Sequence, residues 1–128
     1  MAKVAVLDSS AILAVLFQEP GKDAVLQVMK GALLSTVNLA ETHAKLLLRG
    51  IDARFAWSRL LSLECELCFF DDEQARLAGE LIAQSRPYGL SLGDRACLAL
   101  GLARKGTVYT TDREWTRLGL GLRIEVIR

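Results

Sequence analysis

Short apolar runs rich in β-branched residues alternate with amphipathic segments along the whole chain. The runs predict five strands, at residues 3–8, 33–37, 65–70, 107–112 and 123–127. Strands that alternate with helices form βαβ units, so the chain is predicted to adopt an α/β fold with a central parallel sheet and helices on both faces. The 128 residues fit one domain, which we expect to span residues 1–128 without a linker or repeat.

Short polar side chains mark the predicted starts of the helices, because they accept hydrogen bonds from the free N–H groups of a first turn. The predicted caps are Ser9 or Ser10, Asn38, Asp52, Asp71 or Asp72, and Ser91. Gly50 and Gly106 are typical of helix ends. These boundaries place the functional candidates discussed next at strand ends or in first helical turns.

Two acidic residues end predicted strands, and two others lie in early helical turns. Asp8 and Asp112 follow apolar runs, whereas Glu41 and Asp94 belong to helices. Ligand sites of open parallel sheets form at the carboxyl ends of the strands, and carboxylates gathered there repel each other unless a cation lies between them. Hard oxygen ligands select Mg²⁺ or Mn²⁺. The joint placement predicts a metal-dependent enzyme acting on phosphates, although each acid alone is explained as a turn residue, cap or surface charge.

Five further polar residues flank these acids. Ser10 either binds a carboxylate or a metal-bound water, or caps a helix, and Asn38 either orients the nearby glutamate or caps its helix. Thr111 is a candidate for pointing into the site. Arg95 and Arg113 are candidates for holding substrate phosphates, but surface ion pairs are the simpler explanation of both.

The remaining reactive residues exclude other chemistries or favour a structural role. His43 is the only histidine, so a two-histidine mechanism is excluded by count. It lies two residues after Glu41 on the same predicted helix, so it is expected to point away from the acids. Cys65 and Cys68 match the spacing CxxC, but without a second pair or nearby histidines they are predicted to be core residues. An odd number of cysteines favours a reducing compartment, and no run approaches the roughly 20 apolar residues of a membrane span, so we expect a cytoplasmic protein. The formal net charge of +1 favours no class of partner.

Four stretches of sequence resemble, in order and spacing, the acidic motifs of PIN-domain ribonucleases. They are VLDSSAIL at residues 6–13, STVNLAE at residues 35–41, LSLGDRACLAL at residues 90–100, and YTTDREW at residues 109–115. The third stretch is most similar to the VapC toxins of bacterial toxin–antitoxin pairs. Together the four stretches span nearly the whole chain, and no acidic position departs from the pattern.

The resemblance implies a three-layer α/β/α fold with a parallel sheet of order about 3-2-1-4-5. It also implies an endoribonuclease that depends on Mg²⁺ or Mn²⁺ and cleaves RNA. By match to the motifs, Asp8 and Asp94 would be the most direct metal ligands, and Glu41 and Asp112 would complete the site. The toxin resemblance further implies a homodimer and a cognate small antitoxin protein.

Three alternatives accompany this interpretation. A signalling receiver domain has a similar length and a carboxylate site, but it needs adjacent acids after the first strand and a lysine after a later one. Here the first strand ends in Asp8-Ser9-Ser10, and no lysine follows residues 108–112. A non-catalytic binding module on the same fold and a housekeeping PIN-domain RNA-processing nuclease stay open. The compact chain favours the toxin over the latter.

Overall fold

Five parallel strands form one central sheet in the computed structural model, which describes residues 3–128. The strands are β1 Ala5–Leu7, β2 Leu33–Ser35, β3 Glu66–Cys68, β4 Thr107–Thr110 and β5 Ile124–Val126. Their order is β3-β2-β1-β4-β5, with every neighbouring pair parallel. The predicted α/β class, the parallel sheet and the order 3-2-1-4-5 are confirmed.

Helices connect the strands and cover both faces of the sheet. They are α1 Ser9–Leu16, α2 Lys22–Val28, α3 Thr36–Leu48, α4 Ala53–Leu61, α5 Asp72–Glu80, α6 Ile82–Ser85 and α7 Leu92–Arg104. The described residues also include two 3₁₀ turns, Arg86–Tyr88 and Arg113–Arg117. In residues 3–128, no helix combines the length and the apolar character that crossing a bilayer requires.

Several helix starts differ from the prediction. Helix α3 begins at Thr36 because Ser35, the last residue of β2, caps it by accepting a hydrogen bond from the Val37 N–H at 3.2 Å. The predicted cap Asn38 therefore lies inside the helix. Helix α1 begins at Ser9, with Asp8 as its N-cap residue, so Ser9 and Ser10 are helical. In both cases the strand passes almost directly into the helix, without a loop.

Other predicted caps are confirmed by their side-chain bonds. Asp52 accepts from the Phe55 N–H at 3.1 Å, and Asp71 accepts from the Gln74 N–H at 2.9 Å. Ser91 caps α7 as predicted. These bonds satisfy N–H groups that a first helical turn otherwise leaves free.

The hydrophobic core has two halves, one on each face of the sheet. In β1, Ala5 and Leu7 pack with α1 to α4, whereas Val6 packs on the other face with α7. This burial on both faces explains the continuous apolar character of the strands. Cys65 packs against the first half and Cys68 belongs to the second, so the CxxC sequence forms no paired site, and all three cysteines are free.

Candidate functional site

The carboxyl ends of β1 and β4 lie side by side at one rim of the sheet. Leu7 is in register with Tyr109, and the Asp8 N–H donates to the Tyr109 carbonyl at 3.1 Å. Asp8 therefore follows the strand beside Thr110. Helix α3 begins at the end of β2 and packs against both α1 and α7, so three helix starts converge on the same rim.

Asp8 is buried at the centre of this rim, with only 4% of its surface exposed. Its Oδ2 accepts hydrogen bonds from the Ser10 hydroxyl at 2.7 Å and from the Thr110 hydroxyl at 3.0 Å. Its Oδ1 is buried without a hydrogen-bond partner in residues 3–128. Burial raises the pKa of Asp8 to about 6, against the effect of the two hydroxyls, and the negative charges of Asp94 and Glu41 raise it further.

Ser10 and Thr110 also bind the backbone that follows β4. The Ser10 Oγ accepts from the Thr111 N–H at 3.1 Å, and the Thr110 Oγ1 accepts from the Asp112 N–H at 3.1 Å. The two hydroxyls therefore join α1, β4 and the Asp112 turn around one carboxylate. Sequence reasoning placed Ser10 here but missed Thr110, and its neighbour Thr111 takes part through its backbone. The one available signal was a hydroxyl at the last position of a buried strand.

Glu41 reaches the same region from the first half of α3. Its Oε1 accepts a hydrogen bond from the Ser9 hydroxyl at 2.5 Å. Its other carboxylate oxygen lies against Gly93, where an added Cβ atom would be 2.6 Å from Oε2. Ser9 and Gly93 were not predicted, because they meet Glu41 only through the packing of α3 against α1 and α7.

Asp94 and Asp112 each interact with the N-terminus of their own helix. Asp94 and Ser91 form a capping box, in which the Asp94 Oδ2 accepts from the Ser91 N–H at 3.0 Å and the Ser91 Oγ accepts from the Asp94 N–H at 3.1 Å. Burial raises the pKa of Asp94, with smaller contributions of the same sign from the Glu41 and Asp112 charges. Asp112 accepts from the Glu114 N–H at 3.0 Å and caps the second 3₁₀ turn.

The four carboxylates suit a divalent cation in ligand type and charge. Within residues 3–128, Asp8 offers a buried oxygen without a hydrogen-bond partner. The charges of Glu41 and Asp94 raise the pKa of Asp8, and those of Glu41 and Asp112 raise the pKa of Asp94, so the carboxylates lie close enough to repel each other. Within the described part of the chain, however, no three His, Cys, Asp or Glu side chains are already arranged as a metal site. Asp94 caps its helix with Oδ2 and Asp112 caps its turn with Oδ1, so each would offer its second carboxylate oxygen to a cation.

The other polar candidates lie around the site rather than in it. Asn38 is fully buried and donates from Nδ2 to the Gly93 carbonyl at 3.0 Å, which ties α3 to α7. Arg95 donates to the Ala78 carbonyl of α5 at 2.9 Å, and Arg113 is exposed at the start of the second 3₁₀ turn.

The two tryptophans and the histidine have structural partners. The His43 ring packs against Trp57, with ring centroids 5.1 Å apart. Trp115 is 2% exposed and belongs to the core.

Known proteins share both the sequence pattern and the fold. The PIN domain family model matches residues 5–120. No curated protein sequence matches the chain significantly.

Solved structures align with nearly all of the chain. VapBC2 from Rickettsia felis, bound to a DNA fragment from its promoter, aligns at a TM-score of 0.75 and 18% identity over 95% of this chain and 97% of that chain. VapC20 from Mycobacterium tuberculosis, a sarcin-ricin loop cleaving toxin, aligns at a TM-score of 0.75 and 18% identity over 90% of this chain and 95% of that chain. DNA-bound VapBC from Salmonella typhimurium aligns at a TM-score of 0.66 and 22% identity over 98% of each chain. At these identities the likeness shows a shared fold.

The family model covers both strand-end acids and both helical acids, and the observed sheet order is the one that the sequence resemblance implied. The chain therefore belongs to the PIN domain family.

Proposed function

We propose that the protein is an Mg²⁺- or Mn²⁺-dependent endoribonuclease and the toxin component of a type II toxin–antitoxin pair. The observation that carries the proposal is the buried Asp8, which keeps one carboxylate oxygen free among three further acids at the sheet rim. Membership of the PIN family supports a nuclease. The solved structures that align with at least 90% of this chain include VapC proteins, which supports the toxin. A housekeeping RNA-processing nuclease and a non-catalytic module would share the same fold.

Asp8, Glu41, Asp94 and Asp112 would hold the cation. When bound, the cation supplies a more acidic attacking water and neutralises the charge that develops on the phosphodiester. Ser10 and Thr110 fix the orientation of the Asp8 carboxylate by donating to Oδ2, and this leaves Oδ1 for the ligand. This division of one carboxylate between two hydroxyls and a cation is typical of metal sites with a defined outer shell.

Of the two candidate arginines, one would assist with the substrate. Arg113 is exposed beside Asp112 and is the better placed to meet a phosphate of the RNA backbone. Arg95 is bound to the α5 backbone, so its contribution is to the packing of α7 on α5. The roles of Thr111 and Asn38 are to support the site, through backbone and helix contacts respectively.

Cleavage of RNA by purified protein tests the enzymatic half of the proposal. We expect cleavage with Mg²⁺ or Mn²⁺ and none after chelation, and we expect Asp8→Asn and Asp94→Asn to abolish it while both variants remain folded. Asp23→Asn is the matched control, since the Asp23 side chain is 83% exposed on α2 and pairs with Lys22. Full cleavage by Asp8→Asn at equal protein concentration would exclude the assigned site.

The partner proteins would bind apolar surface on α3 and α4. Leu48 is 87% exposed and Phe55 is 60% exposed. A neighbouring groove is lined by Leu13, Phe17, Lys45, Leu48 and Arg49. We expect a homodimer and a small antitoxin that covers such surface, because large apolar side chains in water favour association.

Two measurements test the partners. Light scattering at high micromolar concentration should give a dimer mass. Co-expression with the product of a small adjacent gene should relieve growth inhibition and yield a complex. If growth inhibition persists and no complex is purified, the housekeeping nuclease becomes the better assignment. Three free cysteines favour a reducing cytoplasm.

A further inference from the structure

Gly93 is the first residue after Leu92 in α7 and stands directly before Asp94. It is buried, and its backbone is not in the left-handed region, so an L-amino acid with a side chain fits its φ angle. Glycine also disfavours a helix relative to alanine. Neither backbone conformation nor helix formation therefore accounts for glycine at this position.

The surroundings of Gly93 give a different reason. A Cβ atom at position 93 would lie 2.6 Å from Oε2, 3.0 Å from Cδ and 3.1 Å from Oε1 of Glu41. The three atoms nearest to that added carbon all belong to one carboxylate group. The carboxylate is held on its other side by the Ser9 hydroxyl of α1. Glu41 thus occupies the space that a side chain at position 93 would need.

A hydrogen bond fixes this arrangement. Asn38, one turn before Glu41 on α3, donates from Nδ2 to the Gly93 carbonyl at 3.0 Å. Because the acceptor is a backbone atom, this bond is compatible with any residue at position 93. It holds α3 and the first turn of α7 at a fixed distance, so the Glu41 carboxylate cannot avoid an added methyl group by a shift of the whole helix without breaking a buried bond.

We propose that Gly93 is a positioning residue for Glu41: the missing side chain lets the carboxylate lie between α1 and α7, beside Asp8 and Asp94. An added methyl group displaces Glu41 from the acidic site and leaves the fold intact, because the displaced group is the end of a flexible side chain. The expected effect on metal binding rests on the proposed function. The expected effect on stability rests only on the contact between position 93 and Glu41.

A thermal double-mutant cycle in chelated buffer tests the contact without metal or activity. Gly79→Ala is the matched control, since Gly79 is also helical and an added Cβ would have no neighbour within 4 Å. We expect Gly79→Ala to raise the melting temperature and Gly93→Ala not to do so. In a Glu41→Ala background, Gly93→Ala should raise it as Gly79→Ala does. In a Glu41→Gln background, where the side chain keeps its size, it should again give no gain.

Calorimetric titration with Mn²⁺ tests the consequence for the site. We expect Gly93→Ala to bind Mn²⁺ about tenfold or more weakly than the wild type, as for other losses of outer-shell support, with Gly79→Ala unchanged. The inference is overturned if Gly93→Ala changes the melting temperature equally in the wild-type and Glu41→Ala backgrounds, or if it binds Mn²⁺ as Gly79→Ala does. A wild-type protein that binds no Mn²⁺ and cleaves no RNA would instead refute the proposed function. The thermal cycle alone would then show whether Glu41 occupies the space beside position 93.

Discussion

Replacement of Asp8 by asparagine should stabilise the metal-free protein at neutral pH. Burial raises the pKa of Asp8 from its ordinary value of 3.8 to about 6, so the folded protein binds this proton more tightly than the unfolded chain. Below pH 3.8 the carboxyl is protonated in both states, and its ionisation costs nothing. Between pH 3.8 and about 6 only the unfolded chain ionises, and above about 6 the folded protein carries the full cost. At about 1.4 kcal/mol per pKa unit, that cost is about 3 kcal/mol.

Denaturant unfolding of the wild type and Asp8→Asn between pH 3.5 and 8, with a chelator present, measures this difference directly. We expect the two free energies of unfolding to agree near pH 3.5 and to diverge until a plateau above pH 7, where the variant is more stable by up to about 3 kcal/mol. Added Mg²⁺ should then stabilise the wild type and not the variant, because only the wild type binds it. Asp23→Asn, which removes an exposed carboxylate, is measured beside it as the control. A difference that does not change with pH would refute the reasoning.

Three further predictions concern the hydroxyl network, the cation and the loop after α1. Thr110→Val should destabilise the protein by about 1–3 kcal/mol and reduce RNA cleavage, because Asp8 loses a hydrogen-bond donor and the Asp112 N–H loses its acceptor. Denaturant unfolding checks this, with Thr107→Val, at a buried threonine of the same strand, as the control. Replacement of Mg²⁺ by Ca²⁺ should strongly lower the cleavage rate, since Ca²⁺ accepts looser geometry, and equal rates in a gel assay would contradict the site. Gly21→Ala should lower the melting temperature more than Gly31→Ala, because both glycines have a positive φ but only at Gly21 would a Cβ meet backbone, at 2.6 Å.

The sequence predicted the features that depend on local pattern. Five apolar runs gave the five strands, and Asp52, Asp71 and Ser91 cap helices as expected because capping involves neighbours in sequence. Asn38 shows the limit of this reasoning. A serine at the end of a strand is an equally good cap. Whether Thr36 and Val37 belong to β2 or to α3 depends on the packing of the whole chain.

The four candidate acids could be named from the sequence, but their immediate partners in the structure could not. The position of an acid after an apolar run is visible in the sequence, whereas the contact of Thr110 with Asp8 depends on the register between β1 and β4. The contacts of Glu41 with Ser9 and Gly93 depend on how three helices pack. Such contacts join residues far apart in the chain, and no short-range pattern encodes them.

The position of β1 in the sheet has a consequence for synthesis on the ribosome. β1 emerges early and is bounded by β2 on one side, but its other neighbour is β4, whose Thr110 lies 102 residues after Asp8. A growing chain that has not yet released β4 leaves one edge of β1 unpaired and Asp8 without that donor. The turn that carries Asp112 is also absent at that stage. The acidic site therefore comes together only when nearly the whole domain has left the exit tunnel, so the nascent chain has no assembled centre next to the ribosome's own RNA.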